Sequence, residues 1–457
     1  MKVVVIDDDP TGSQTVHSCP LLLHWDVEDL REGLRHPSPL LFLLADTRAL
    51  TEEAAGERNR EIAANLDAAL SAEGLQRSDV LLVSRGDSTL RGHGVLEPAV
   101  LAECFGPFDA TFHVPAFLEG GRTTVNGVHL LRGVPVHTTP FACDRLFGYG
   151  TSDLPGWLEE RSHGSIHAAD VVRISGRDLD AACGSGLPNL IERLRQLVGN
   201  AVVVVDAVRL PQLTAFAAAV RSLRREKRFL FRSAASLVKA LADPGRQPLD
   251  GPGLAALRRR DGRGCRLPGL VMVGSHVPLA DQQLALLLSE ESCVPIELPV
   301  PRIARVLEGP TPDLLLADLE QVWREQLQLA LVRGATPVLF SSRGELRCGS
   351  EREGRRLSRE LARLMARLAS AMAPSLGYLI SKGEQPRRLS SVRGWRCDPC
   401  ICRVSCCRVC HWCSPQAGGG CNSCRSSPFR AISAMPARCC RPGSGCRPAE
   451  AASSSMG

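Results

Sequence analysis

The chain has 457 residues, with 55 lysines and arginines against 49 aspartates and glutamates, a formal net charge of +6. The surplus is local: residues 384–457 carry eleven arginines, no lysine and three acids, which leaves residues 1–383 at a net −2. That balance excludes a basic nucleic-acid surface on the body, and no stretch approaches the roughly 20 apolar residues of a membrane span. The apolar run Val3–Ile6 is short and ends in three aspartates, unlike a signal peptide. Seven cysteines (19, 104, 143, 183, 265, 293 and 348) are scattered through the body without metal spacing. They are expected to be unpaired thiols of a cytoplasmic protein.

In chain order, apolar runs suited to strands lie at 2–6, 40–44, 80–83, 110–114, 201–205, 229–231, 269–273, 336–340 and 378–381. The stretches 51–70, 188–198, 210–224 and 350–373 predict helices; in the last, Leu357, Leu361, Leu364, Met365, Leu368 and Met372 recur at helical spacing. Strands alternating with helices predict an α/β chain of two domains, with mostly parallel sheets covered by helices. The segment 244–267, rich in Pro, Gly and Arg, reads as a linker between domains at 1–243 and 268–383, with Arg258–Arg260 expected to be solvated.

Open α/β sheets bind ligands beyond the carboxyl ends of their strands. Three polar clusters fall there in the first domain. The first strand runs into Asp7-Asp8-Asp9-Pro10-Thr11-Gly12-Ser13, the run 40–44 into Asp46-Thr47-Arg48, and the run 80–83 into Ser84-Arg85-Gly86-Asp87-Ser88-Thr89-Leu90-Arg91-Gly92-His93. Any one reads as a capped, salt-bridged turn; three in register read as a ligand site. Carboxylates can accept a proton from a hydroxyl or hold Mg²⁺, and arginines fork onto carboxylate or phosphate. In the second domain, 269–273 leads to Gly274-Ser275-His276 before a helix, a turn whose backbone N–H groups suit phosphate. The run 338–340 leads to Ser341-Ser342-Arg343-Gly344-Glu345. A P-loop motif is absent, and so is a Gly-x-Gly-x-x-Gly turn after the first strand. His17, His113 and His129 lack ligand spacing and are expected to be structural or at the substrate edge; Trp25 and Trp157 are expected to be partly buried packing residues.

At these residues the chain resembles the four-carbon acid sugar kinase family. The resemblance rests on Asp7–Gly12, on Asp46-Thr47-Arg48-Ala49-Leu50, on Asp87-Ser88-Thr89-Leu90-Arg91-Gly92, on Gly121–Gly127, and on Val273–Pro278 with Gln283-Leu284, and it spans essentially all of 1–383. It implies ATP-dependent phosphorylation of a terminal hydroxyl of a threonate-, erythronate- or 3-oxo-tetronate-like acid. The first domain would hold the acid and the second ATP. Carried over by position, Asp8 and Asp9 line the substrate and one is the base, while Asp87, Ser88 and Arg91 grip hydroxyls and carboxylate. Thr11, Arg48 and Arg122 join them as substrate-binding candidates. Gly274, Ser275, His276, Ser342 and Gly383 are the nucleotide-binding candidates. The implied partners are a small sugar acid and ATP with Mg²⁺, with no resident protein-bound metal, no membrane and no specific nucleic acid; a homo-oligomer is left open. Two departures point to a subgroup: relatives often carry lysine before Asp-Ser-Thr, where Ser84-Arg85-Gly86 stands here, and Asp7 and Pro10 are additional.

The resemblance also implies a Gly-Gly-x-Thr-Ser turn after Lys382, where this chain reads Gly383-Glu384-Gln385-Pro386-Arg387. Loss of one guanine from codons for Gly-Gly-Ala-Thr-Ser gives Gly-Glu-Gln-Pro-Arg. Residues 384–457 hold twelve of the nineteen cysteines and no sustained apolar period. They are expected to be a disordered, out-of-frame tail that truncates the nucleotide domain and impairs the kinase. Two alternatives stand beside this. One is a non-catalytic sugar-acid-binding remnant. The other is a zinc-binding interaction module built on the Cys-x-x-Cys pairs 397/400, 407/410, 410/413 and 421/424 with His411.

Overall fold

The computed structural model describes residues 1–9, 15–144, 146–245, 250–276, 278–344, 349–382, 402–404 and 411–413. Fifteen strands precede residue 383: β1 (Lys2–Asp7), β2 (Cys19–Leu22), β3 (Leu40–Leu44), β4 (Val80–Arg85), β5 (Ala110–Val114), β6 (Arg122–Val125), β7 (Val128–Leu131), β8 (Val134–Pro135), β9 (Val172–Ile174), β10 (Ala201–Val205), β11 (Phe229–Ser233), β12 (Gly269–Val273), β13 (Cys293–Leu298), β14 (Thr336–Ser341) and β15 (Tyr378–Lys382). Two three-residue strands follow, β16 (Cys402–Val404) and β17 (His411–Cys413).

The first sheet runs β16-β2-β3-β1-β4-β11-β5-β10-β9, and all its pairings are parallel except β16 on β2. Its central strands are apolar on both faces because helices cover both. Along β1, Val3 and Val5 enter one core with Phe42, Phe112 and Phe231, while Val4 and Ile6 enter the other with Ile62, Leu66 and Leu82. The helix Glu52–Ala72 starts at Thr51, whose hydroxyl accepts the N–H of Ala54, and buries Ile62, Leu66 and Leu70. Beta-strand β1 lies between β3 and β4, so the chain leaves it towards one side and returns on the other. A crevice therefore opens at the carboxyl ends of β1 and β4.

Strands β6, β7 and β8 form a separate antiparallel meander. Its first turn is Asn126-Gly127, both at positive φ (50° and 80°), the pairing that a two-residue hairpin requires. Asp206 accepts both turn N–H groups at 2.9 Å and so ties the meander to the end of β10.

The second sheet runs β13-β14-β12-β15-β17, parallel apart from β17 on β15. Its core packs Leu270, Met272 and Leu339 against Trp323, Leu327, Leu364 and Leu368, which come from helices Pro312–Val332 and Glu351–Met372. The α/β class and its parallel sheets are thus as the periodicity predicts. All nine expected strands and all four expected helices are present. Before residue 383, strands β2, β6, β7, β8, β9 and β13 were not expected. Strands β2 and β13 contain proline, which argues against a central strand. Proline is tolerated in β13 because that strand is a sheet edge, bonded only to β14.

The expectation of a solvated arginine linker is corrected. Segment 244–267 contains a helical turn, Gly251–Ala256. Arg258 Nε donates to Leu267 O at 2.5 Å and its guanidinium lies 5.3 Å from the Tyr378 ring centroid. Arg259 N donates to Gly377 O at 3.2 Å, and Gly377 N to Pro268 O at 2.7 Å. These bonds seat the segment against the start of β15. Only Arg260 of the three is exposed. No helix among the described residues is long and apolar enough to cross a membrane. Residues 384–457, apart from β16 and β17, lie outside the described residues, and so does the expectation of a disordered tail.

Phe112 is fully buried and meets Phe216, Phe229 and Phe231 at centroid distances of 5.1, 5.1 and 5.6 Å. Phe112→Ala is expected to destabilise the first sheet by about 3–5 kcal/mol, read as a lower urea midpoint by near-ultraviolet circular dichroism. Leu314→Ala, at a position 69% exposed, should stay within about 0.5 kcal/mol.

Candidate functional site

Backbone bonds lace the first three clusters together before any side chain does. Ala45 N and Asp46 N donate to Asp7 O, Asp8 N donates to Arg85 O, and Arg48 N donates to Asp8 O, all within 3.2 Å. The β1, β3 and β4 loops therefore share one edge. Gly92 (φ +91°) closes over it: a Cβ there would stand 3.0 Å from Asp8 Oδ2. Leu90 takes φ +66°, a strained setting for a branched side chain, at the turn capped by Leu90 N to Asp87 O.

Side chains then interlock. Arg48 donates from Nη2 to Asp8 Oδ1 (2.8 Å), from Nε to Asp8 Oδ2 (3.3 Å) and from Nη1 to Asp9 Oδ2 (3.1 Å). Arg85 Nη1 donates to Asp7 Oδ1 (3.2 Å) and Asp8 Oδ1 (3.4 Å). Asp8 is fully buried and Arg85 nearly so. Arg91 Nε donates to Asp87 Oδ2 at 2.8 Å, Thr89 Oγ1 also donates to that oxygen, and the Arg91 guanidinium lies 5.0 Å from the Phe141 centroid. Burial alone would raise the Asp87 carboxyl, but Arg48 and Arg91 with the Thr89 and Arg91 hydrogen bonds outweigh it and hold it below the usual carboxylate range. Asp87 is thus a fixed negative charge among arginines. Arg122, from β6, donates to Gly120 O at 2.6 Å, lies over Phe117 and adds a positive potential at Asp87.

The structure brings Asp8, Asp9, Arg48, Asp87, Ser88 and Arg91 to one edge, with Arg122 on the neighbouring meander. Thr11 lies outside the described residues. Ser88 is buried, and its carbonyl accepts from His129 Nε2 (2.8 Å), whose Nδ1 meets Thr124 Oγ1 (3.0 Å). Burial lowers His129 to about 4, so it is a neutral strut. Arg85 lay in the third polar cluster and His113 was expected to be structural or at the substrate edge, whereas Glu97 and Arg232 were absent from the sequence-derived site and Trp157 was expected only as a packing residue. Glu97 accepts from Thr47 and from Arg232, buried throughout. A pocket lined by Asp87, Arg91, His113, Trp157, Arg232 and Ser233 opens between the β4 loop and the helix Leu154–Arg161. Arg232 carries no motif. A charge closing the apolar run 229–231 was the only signal of it.

In the second sheet, Gly274 N donates to Lys382 O (2.8 Å), His276 Nε2 meets Ser341 Oγ (3.0 Å), and Ser342 Oγ accepts from Val300 N (3.0 Å). Arg343, from the polar turn after the run 338–340, donates from Nη2 to Ser275 O at 2.7 Å and pairs with Asp281. These residues share the carboxyl edge of β12 and β14. Gly383 lies outside the described residues. No group of three or more His, Cys, Asp or Glu suited to a metal occurs among the described residues, and the tail cysteine side chains lie outside them. Asp7, Asp8 and Asp9 are engaged with arginines and Asp281 with Arg343, so this donor set does not fit Mg²⁺ on its own.

The arrangement defines an α/β protein with an arginine- and carboxylate-lined cleft at the switch point of a parallel sheet, suited to a small polyhydroxylated anion. The chain belongs to the family of the sugar-binding N-terminal domain, whose model matches residues 3–241. A D-erythronate kinase of Heliobacterium modesticaldum (strain ATCC 51547 / Ice1) is 27% identical over 297 residues, which are 62% of this chain and 59% of that protein. The chain therefore spans about three fifths of that relative's length. Two solved structures share the fold. One is a Salmonella typhimurium LT2 protein provisionally described as a tRNA synthase, with TM-score 0.60, 17% identity, and coverage of 85% of this chain and 87% of that one. The other is a Haemophilus influenzae protein with the family model DUF1537, with TM-score 0.54, 15% identity, and coverage of 85% and 88%.

Asp7 gives this site a pH signature. Burial, opposed by Arg85 and reinforced by Asp8 and Asp9, raises its carboxyl from 3.8 to about 7. The folded state then binds a proton that the unfolded state has released, so the stability Asp7 contributes is complete below pH 3.8 and is lost as pH rises through about 7. Asp7→Asn is expected to flatten urea midpoints measured from pH 4 to 8, gaining on the wild type towards pH 8. An identical slope in both proteins would remove Asp7 as the titrating group.

Proposed function

We propose that the chain is a kinase-family protein that binds a four-carbon sugar acid of the threonate, erythronate or 3-oxo-tetronate class, and that its parent reaction is ATP-dependent phosphorylation of that acid's terminal hydroxyl. The observation that supports this best is the convergence of Asp8–Asp9, Arg48 and Asp87–Arg91 on one sheet edge. The likeness to a D-erythronate kinase points the same way. In this reading, residues 1–243 hold the acid, with Thr11, Arg48, Asp87, Ser88, Arg91 and Arg122 around it. Asp8 or Asp9 accepts the hydroxyl proton. Residues 268–383 meet the nucleotide through Gly274, Ser275, His276, Ser342 and Gly383. Phosphoryl transfer has a loose, charged transition state, so fixed arginines and backbone donors supply most of what it needs. Mg²⁺ would arrive on the nucleotide's phosphates.

Calorimetry on the full chain tests the binding half. Threonate, erythronate or 3-oxo-tetronate should bind, and Asp87→Ala and Arg91→Ala should each weaken binding by about 1.5–3 kcal/mol. Folded protein that binds none of the three acids would sink the reading.

A second reading has its own observation. Glu384 and Pro386 stand where a glycine-rich phosphate turn belongs. One adds negative charge beside phosphate oxygens and the other removes a backbone donor. In this chain the acid-binding half then persists as a remnant with weak or no ATP turnover. Inserting one nucleotide at the Glu384 codon should restore a Gly-Gly-x-Thr-Ser turn and tetronate-dependent ADP release. In that repaired enzyme, Asp→Asn at the true base should lower turnover about 10²-fold while binding holds. Robust turnover by the unrepaired chain would refute the truncation.

A further inference from the structure

The guanidinium of Arg232 is only half used. Arg232 sits on β11, between β4 and β5 at the middle of the first sheet, with its side chain 8% exposed. Its Nη1 hydrogens go to Ser84 Oγ at 2.7 Å and to Glu97 Oε2. Its Nε and Nη2 make no hydrogen bond among the described residues. Asp8 Oδ2 is 3.7 Å from Nη2, close enough for attraction but too far for a hydrogen bond. Asp8 is in any case engaged by Arg48 and Arg85. A guanidinium has five donors in a fixed fork, and those of Nε and Nη2 remain for an incoming acceptor. The same side chain lines the pocket that holds Asp87, Arg91 and His113.

Two features set this geometry. Glu97 has both oxygens occupied, one by Thr47 of the β3 loop and one by Arg232, so it fixes the fork's rotation from behind. Gly86 supplies the room: a Cβ there would stand 2.2 Å from Nη2, 2.4 Å from Cζ and 2.7 Å from Nε of Arg232. Gly86 is not at positive φ, so space and not backbone freedom is what demands glycine. Gly86 follows the end of β4, on which Ser84 supplies another of the fork's acceptors. Across the pocket, Arg91 has its Nε committed to Asp87 and its face to Phe141. The neighbouring His113 is kept neutral by burial, with a pKa lowered to about 3, and adds no competing charge.

We propose that Arg232 is a ligand-gripping residue that takes the carboxylate of the hydroxy acid with its Nε and Nη2 donors opposite Arg91, that Glu97 is its positioning residue, and that Gly86 determines specificity by admitting the fork. This rests on the sugar-acid reading for the identity of the ligand, while the anion site stands on the geometry. The charge-assisted pair of N–H donors matches a carboxylate and discriminates against a neutral amide.

The test compares acids with their amides on the full chain by calorimetry: erythronate against erythronamide, and glycolate against glycolamide. Wild-type protein should prefer each acid. Gly86→Ala and Arg232→Lys, each checked for native circular dichroism, should weaken acid binding about 10-fold or more and leave the weak amide binding unchanged. Glu97→Gln, which keeps an acceptor, should retain more of the preference than Glu97→Ala. If the wild type ignores erythronate yet prefers glycolate over glycolamide, and Arg232→Lys abolishes that preference, the anion site holds and the tetronate reading fails. Folded variants that keep the wild-type preference, or a wild type with no preference in either pair, overturn the assignment.

Discussion

The structure turns on one buried carboxylate. The Asp8 side chain has no exposed surface and sits at the carboxyl end of β1, with Arg48 and Arg85 in hydrogen-bond reach and Arg232 within ion-pair reach. Burying charges is unfavourable unless each is matched and bonded, and removing one partner of such a set is far worse than the set's net worth. Three loops from three strands must therefore arrive in one register. A parallel sheet of fixed order is a frame that can deliver this. The charge cluster adds specificity to a fold whose stability comes from the two apolar cores on either side of the sheet.

That constraint has a chemical consequence. Arg48 and Arg85 are spent on Asp7, Asp8 and Asp9, while Arg91 and Arg232 reach the pocket beside Asp87. Arg85 is thereby committed to the buried carboxylates, while Arg48 joins those carboxylates to the Asp87 side of the cleft. A wall of Leu90, Leu154 and Trp157 keeps water away from one side of that pocket and strengthens every polar contact within it. The second sheet offers a different surface, made of small turns and hydroxyls at the ends of β12 and β14, where Arg343 fastens the Ser275 loop.

Much of this was legible from local pattern alone. Short β-branched runs and helix-spaced leucines predict strands and helices because burial acts residue by residue along a repeating geometry. Polar residues that interrupt an apolar strand at its carboxyl end predict the clusters of Asp8, Arg48 and Asp87 for the same reason. Strand β13 carries Pro295, and the penalty for a missing N–H applies only where a neighbour would have received it; β13 is an edge. The partners of Arg258 and Arg259 were not legible locally: their stems and donors meet Tyr378, Ala373 and Gly377, more than a hundred residues away.

The sequence by itself determined the class of fold, the polar ends of the strands and the break in composition after residue 383. It could do so because periodicity, motif spacing and composition are properties of neighbours in the chain. Tertiary structure alone decided which arginine neutralises which carboxylate, that Glu97 and Thr47 stand behind Arg232, and that Gly86 is needed for space. Those facts depend on contacts such as Arg232 with Glu97, 135 residues apart, and Arg232 with Ser84, 148 apart. An ion pair's worth is fixed by burial and by the donors left over, and both exist only once the sheet has brought its strands together.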